Sequence, residues 1–201
     1  MKRRSIGVMV ALVGAMATGA LLGAEELKNP IQHMESPKRT ERHQMLQALA
    51  GDWTIKGRTY KDCPYGEGRF TAREHNEMMK GGLVLVSRTQ YSELFKNSNQ
   101  IAFFGVDPVS NQYTYALHSN LGVVVQAVGA VRDSEKRSLV GNAIEWTQNA
   151  VNVNLHGDQP AVVYTTEVVS PNEYRFKLTS GGGTWYEGVA KRVTVSNPAP
   201  N

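Results

Sequence analysis

The residues of this chain best able to carry chemistry are five histidines, one Glu-His-x-Glu run and a single cysteine. His33, His43, His75, His118 and His156 never fall at helical i, i+4 spacing, and no His-x-His pair occurs. Local spacing therefore offers no metal-ligand set, and no metal is expected. His75, His118 and His156 lie on or near strand-like segments, so only tertiary folding could bring them into one interior. Arg73, Glu74, His75 and Glu77 are close in sequence, but acid-base catalysis needs two groups in one cavity with separated pKa values. On a strand, Glu74 points away from the face that Arg73, His75 and Glu77 share. The expectation is a solvated face with paired charges. No Gly-x-Ser-x-Gly elbow occurs. Gly181-Gly182-Gly183 sits between strand-like segments with no helix after it, which makes it a hairpin loop and not a phosphate cradle. Cys63, in Asp62-Cys63-Pro64-Tyr65-Gly66, reads as an unpaired thiol in an exposed turn. One cysteine cannot form an internal disulfide.

The elements that must position these residues are almost all strands. Residues 25–35 lack apolar periodicity and read as a flexible lead. Ser36-Pro37 offers a helix N-cap with Pro in the first turn, and the stretch 37–50 sets Leu46, Leu49 and Ala50 on one face beside Met45, with Gly51 as a C-terminal stop. After Gly51 the period becomes two. Ten segments rich in Val, Thr, Tyr and Phe follow, beginning near Trp53, Gly68, Leu83, Gln100, Gln112, Gly122, Ser138, Pro160, Glu173 and Thr184. The breaks between them, such as Asp107-Pro108, Ser119-Asn120 and Ser170-Pro171-Asn172, carry turn chemistry. Such short gaps exclude crossover helices, so neighbours must pair as antiparallel hairpins. A ten-strand meander would leave apolar edges unless it closes, and closure predicts an up-and-down barrel preceded by one short helix; a two-sheet sandwich is the alternative. The domain is expected to span 36–193, with 194–201 as a disordered tail.

Composition bounds the partners. The chain has 201 residues and a net charge of +4. Lys2-Arg3-Arg4 precede a charge-free run, Ile6 to Gly23, that ends in Leu22-Gly23-Ala24 before Glu25-Glu26, the pattern of a signal peptide over residues 1–24. The run approaches a membrane span in length, but its Ala, Gly and Thr content lowers the hydrophobicity an anchor needs. The segment holds three bases and no acid, so the mature chain would carry 19 basic against 18 acidic residues. Bulk-charge binding of nucleic acid is thereby disfavoured. A periplasmic or secreted protein is expected, with no stable membrane insertion after cleavage.

A set of landmarks carries a family resemblance. His43-x-x-Leu46-x-x-Leu49-x-Gly51-x-Trp53, then Gly81-Gly82, then Gly105-Val106-Asp107-Pro108 with Tyr113, resembles a bacterial calycin-like family known as a domain of unknown function. Val106 stands where the family's usual run has Tyr. The resemblance covers residues 43–193 and implies a lipocalin-like barrel; it implies no activity, because a fold hosts many functions. It also implies that Trp53 lies across the closed end of the barrel with a basic side chain of the last strand over its ring. Lys191 and Arg192 are available on opposite faces, and Arg192 stacks better. His43, inside the helix landmark, is expected to pack or cap at the barrel mouth. Nitrobindin-like barrels hold haem through a His near the chain end, whereas no His follows His156 here, so no cofactor is expected.

Aromatic residues occur on nearly every strand. A barrel of ten strands is wider than the eight that side chains alone can fill, so its interior should hold a cavity. Tyr91, Phe103, Tyr113, Tyr115, His118, Trp146, Tyr164 and Trp185 are the candidate lining. Such a lining suits a small apolar or amphipathic ligand, with a fatty-acid analogue as a first probe. The expected function is exported small-molecule binding without catalysis. The alternatives are an isomerase or hydrolase using an interior His with Glu or Tyr, and a non-binding interaction scaffold.

Overall fold

Ten strands in sequence order close on themselves in a computed structural model that describes residues 38–93, 95, 98–148 and 162–194. They are β1 (Gly51–Thr59), β2 (Gly68–Met78), β3 (Leu85–Glu93), β4 (Asn99–Val106), β5 (Tyr113–Ser119), β6 (Val124–Val131), β7 (Asn142–Gln148), β8 (Val162–Ser170), β9 (Glu173–Ser180) and β10 (Gly183–Arg192). Each pairs antiparallel with its sequence neighbours, and β1 pairs with β10 to complete an up-and-down barrel. Closure removes the two exposed edges that a ten-strand meander would present. The expected signal peptide and flexible lead lie outside the described residues, as does the tail after Thr194.

The helix is shorter than its sequence pattern suggests. Helix α1 spans Glu41–Leu46 and tightens into a 3-10 turn over Gln47–Leu49. Its N-cap is Thr40, not Ser36. Thr40 N–H donates to His43 Nδ1 at 3.1 Å, so the imidazole takes the part that Glu or Gln plays in the usual capping box. Burial, with Arg39 nearby, lowers the His43 pKa, which suits an acceptor nitrogen. Gly51 does not stop the helix. It opens β1 at φ +125°, where a Cβ would collide with the Arg192 guanidinium.

The helix plugs one end of the barrel. Met45, Leu46 and Leu49 are buried with Trp53, Leu85, Tyr113, Leu139, Ile144, Trp146 and Val168. Each fully buried Leu or Ile contributes about 1.5–3 kcal/mol relative to exposure. Trp53 Nε1–H donates to Leu49 O at 2.9 Å, and the Arg192 guanidinium lies 4.2 Å from the Trp53 ring centroid. Arg192 also donates to Ala48 O (3.1 Å), Pro171 O (2.8 Å) and Ala50 O. This one side chain therefore ties the helix exit, the β8–β9 turn and the first strand together, with each of its three nitrogens donating. Tyr113 donates to Arg42 O at 3.4 Å, and Trp146 Nε1–H to Thr166 Oγ1 at 3.3 Å. The end is filled, and the polar atoms of Trp53, Tyr113 and Trp146 are satisfied, while Asn76 Oδ1 beside the plug is buried without a partner.

Candidate functional site

The other half of the interior is not filled. A cavity of about 170 Å³ opens between β1–β6 and β8–β10. Its wall is a nearly continuous chain of rings. Tyr115 and Tyr164 stack at 6.3 Å, Tyr164 meets Phe176 at 6.3 Å, Phe176 meets Tyr186 at 6.2 Å, Tyr186 meets Phe70 at 6.4 Å, and Phe70 meets Tyr91 at 5.9 Å. Two glycines make room for this ring system. Gly57 on β1 and Gly188 on β10 are register partners; Gly57 opposes Phe70 on β2, and Gly188 opposes Phe176 on β9. A Cβ on either glycine would overlap the ring beside it. The two phenylalanines therefore lie flat against backbone and leave the axis open. At the mouth a break in register between Thr184 and Tyr186 leaves Trp185 unpaired with β9. A bulge of this kind re-aims side chains, and both Trp185 and Tyr186 line the cavity.

On the cavity floor, opposite Trp53 in the β1–β2 register, sits Glu74. Its Oε1 accepts from Tyr174 O–H at 2.5 Å and Asn76 Nδ2–H at 2.6 Å, and Oε2 accepts from Thr89 O–H at 3.2 Å. Ser87 donates as well. Asn76 Nδ2 also donates to Leu49 O at 2.9 Å, so hydrogen bonds run without interruption from the helix plug to the carboxylate. Burial raises the Glu74 pKa even though four donors oppose it. Burial also lifts the phenols of Tyr91, Tyr115, Tyr164, Tyr174 and Tyr186 above the usual tyrosine value, which keeps them neutral donors. Tyr91 donates to Gln100 Oε1 at 3.3 Å. Among the described residues, the hydroxyls of Tyr115, Tyr164 and Tyr186 have no partner, and no Lys, Arg or His lines the cavity. The site thus combines electron-rich ring faces, three free hydroxyls and one carboxyl group.

The sequence candidates separate into three groups. Tyr91, Tyr115, Tyr164 and Trp185 line the cavity. Tyr113 and Trp146 are fully buried below it in the filled end, with Tyr113 pushed up to about 12 by burial. Phe103 and His118 point outward, so both are corrections. Phe103 is 39% exposed on the outer wall, and Phe104, one residue on, faces the interior. A single-residue error in phase exchanges the two faces of a strand. His118 is exposed on β5 and borders a groove outside the barrel. In that groove His75 Nδ1 lies 2.7 Å from Asp52 Oδ1, and Arg88 pairs with Glu77 at 2.6 Å. The solvated face expected around Glu74 is thus real for His75 and Glu77 but not for Glu74. Glu74 shares its phase with Phe70 and Ala72, which are buried, and that phase was the signal available in the sequence. Cys63 is also corrected: it is buried, because the turn from Tyr60 to Gly66 folds over the barrel mouth, and burial raises its thiol pKa. Tyr174, Tyr186, Phe70 and Phe176 complete the site and were not among the candidates. His33 and His156 lie outside the described residues, and no group of acidic, His or Cys side chains could hold a metal among the described residues.

Comparison with known proteins places this barrel. The chain belongs to the family described as Protein of unknown function (DUF1579), whose model matches residues 38–194. No protein of curated function matches it in sequence. Rv2717c from M. tuberculosis is similar in fold: 14% identity, TM-score 0.58, 79% of this chain and 100% of that one covered. A protein of the DUF3598 family from Nostoc punctiforme aligns at 12% identity and a TM-score of 0.42 over 79% of this chain and 51% of its own. The Rv2717c likeness shows the fold alone.

Proposed function

We propose that this protein is an exported calycin-like barrel that binds a small molecule in its interior. The observation that carries this reading is the cavity of about 170 Å³, bounded by rings and by hydroxyls that lack partners. An apolar cavity of about 150 Å³ takes benzene, and drug-sized ligands use about 300–1,000 Å³. The ligand is therefore of one-ring or two-ring size, and a long acyl chain would extend beyond this volume. Three free phenol hydroxyls suit a ligand with polar atoms as well as an apolar body. A panel of small aromatic and aliphatic compounds, tested by thermal shift and calorimetry, examines the reading. Binding raises the melting temperature by mass action; a panel without any stabilising compound would refute it.

One observation favours a catalytic alternative. A carboxyl group with a raised pKa, 2.5 Å from a tyrosine hydroxyl in a cavity, is the arrangement of a general acid. Among the described residues this narrows the interior His with Glu or Tyr to Glu74 with Tyr174. Export rests on the basic head and the apolar run ending at Ala24. Intact-mass measurement of the protein made by its own host should give Glu25 as the first residue, and a membrane-bound product that retains Met1 would overturn that part.

A further inference from the structure

We infer that the ligand of this cavity is a small organic cation, an amine or alkylated ammonium, held by the tyrosine faces with Glu74 as its counter-charge. This rests on the reading that the cavity binds a small molecule and adds the chemical class. Among the described residues, Glu74 is the only acidic or basic side chain lining the cavity besides phenols that burial keeps neutral. Its four partners, Tyr174, Asn76, Thr89 and Ser87, are all neutral donors. They orient the carboxylate and hydrogen-bond to it, but they supply no positive charge. Arg192, which touches Trp53 from the plug, is engaged with the carbonyls of Ala48, Ala50 and Pro171. A buried carboxylate without a cation is costly, and a cationic ligand removes that cost when it arrives.

The walls favour the same class. Phe70, Tyr91, Tyr115, Tyr164, Phe176 and Tyr186 form a connected set of rings around the axis. Aromatic faces carry the negative part of the ring quadrupole and attract cations, most strongly where water is excluded. An anionic ligand would meet both these faces and Glu74 unfavourably. A neutral apolar ligand would gain contact area but leave the carboxylate unbalanced. A tetraalkylammonium head fits a cavity of this volume and needs no hydrogen-bond acceptor.

Titration follows from the same geometry. The titratable groups that face Glu74 are the phenols of Tyr174, Tyr91, Tyr115 and Tyr164, which stay neutral across the physiological range. Glu74 is therefore the carboxyl group whose charge can answer a ligand. In the empty barrel burial favours its protonated form; a bound cation favours the ionised form, so binding releases a proton wherever the empty site is partly protonated.

The test compares choline with 3,3-dimethylbutan-1-ol, which has nearly the same shape and no charge, by calorimetry on the full mature chain. At about pH 8 choline should bind about tenfold or more tightly than the alcohol. That margin should shrink as pH falls through the Glu74 titration, and calorimetry in two buffers of different ionisation heat should show proton release. Glu74→Gln should abolish the preference for choline over the alcohol. The proton-release measurement uses the unmodified chain, so the test stands even if that variant folds poorly. If the alcohol or neutral aromatics such as phenol bind as tightly as choline, the cation assignment fails while cavity binding stands. If neither the two probes nor the small-molecule panel bind, the binding reading fails with it.

Discussion

The two ends of the barrel use the same residue types for opposite purposes. At the closed end Trp53, Tyr113 and Trp146 are buried and each has a hydrogen-bond partner for its polar atom. At the open end Tyr115, Tyr164 and Tyr186 are also deep in the barrel, yet their hydroxyls have no partner among the described residues. The closed end is a hydrophobic core with a cation seated on its tryptophan. The open end is a similar aromatic wall with its centre left empty. The difference lies in what meets the rings. A helix, Leu139 and the Arg192 guanidinium fill the space below; above, Gly57 and Gly188 withdraw Phe70 and Phe176 towards the wall. Residue type alone therefore does not distinguish core from site. Polar satisfaction and free volume do.

Substitutions at the two ends should separate stability from binding, and the largest effect belongs to the plug. Trp53→Ala removes a fully buried indole, its bond to Leu49 O and the contact with Arg192, and should cost about 3–5 kcal/mol. Chemical denaturation reads the loss directly, while ligand affinity of the remaining folded protein should change little. A variant of normal stability that no longer binds would place Trp53 in the site instead and dissolve the contrast between the ends.

Gly57→Ala acts on the boundary. Its Cβ would overlap the Phe70 ring and crowd Glu187 O at 2.7 Å, for an overpacking cost of about 1–3 kcal/mol. Because Phe70 can yield only towards the axis, the same change should shrink the cavity and weaken binding of any compound that fits the native barrel. A melt combined with a binding titration checks both consequences. Loss of stability with unchanged affinity would show that Phe70 does not border the occupied volume.

Glu74→Gln should stabilise the empty barrel, and only above acid pH. The Glu74 pKa is raised on folding, so the stability associated with its neutral form is present below the unfolded carboxyl value and is lost as pH rises through the folded one. Gln keeps an acceptor for Tyr174 and Asn76 and never ionises. Its melting temperature should therefore exceed that of the native chain by roughly 2–4 °C for each kcal/mol relieved at neutral and alkaline pH, and match it in acid. A variant less stable at every pH would mean that the carboxylate contributes favourably to the fold.

The smallest effect contrasts two hydroxyls on one wall. Tyr174→Phe removes a donor to Glu74 and should cost about 1 kcal/mol. Tyr164→Phe removes a hydroxyl without a partner and should fall within about 0.5 kcal/mol of the native chain, with its effect confined to ligand affinity. Equal losses for the pair would argue that both hydroxyls are already satisfied in the empty barrel.

Much of this architecture was legible before folding. Period-two alternation and short turn-rich gaps between ten segments admit only antiparallel hairpins, and edge avoidance then closes the barrel. Segment boundaries fall close to the observed ones because Gly, Pro, Asn and Asp interrupt pairing locally, through their own backbone preferences. The helix was overestimated because propensity over 37–50 does not reveal that Thr40 and His43 cap each other, or that the chain must turn into β1. Phe103 and Phe104 are adjacent aromatics on one strand, and which of them faces inward depends on register with β3 and β5, set across the barrel.

Glu74 shows the boundary most clearly. Its phase on β2, shared with Phe70 and Ala72, marked it as inward, and sequence by itself determined that much, because alternation is a property of one strand. Its meeting with Tyr174, 100 residues away in the chain, was decided only when β1 and β10 joined and brought β9 within three strands of β2 round the wall. The sequence likewise determined that ten strands are too many for side chains alone to fill. Only the tertiary structure decided which end stayed empty, since that depends on where the helix, Trp53 and Arg192 pack and where Gly57 and Gly188 let the rings lie back. Local chemistry specifies elements and faces; volume and polar satisfaction are sums over residues distant in sequence, and they exist only after closure.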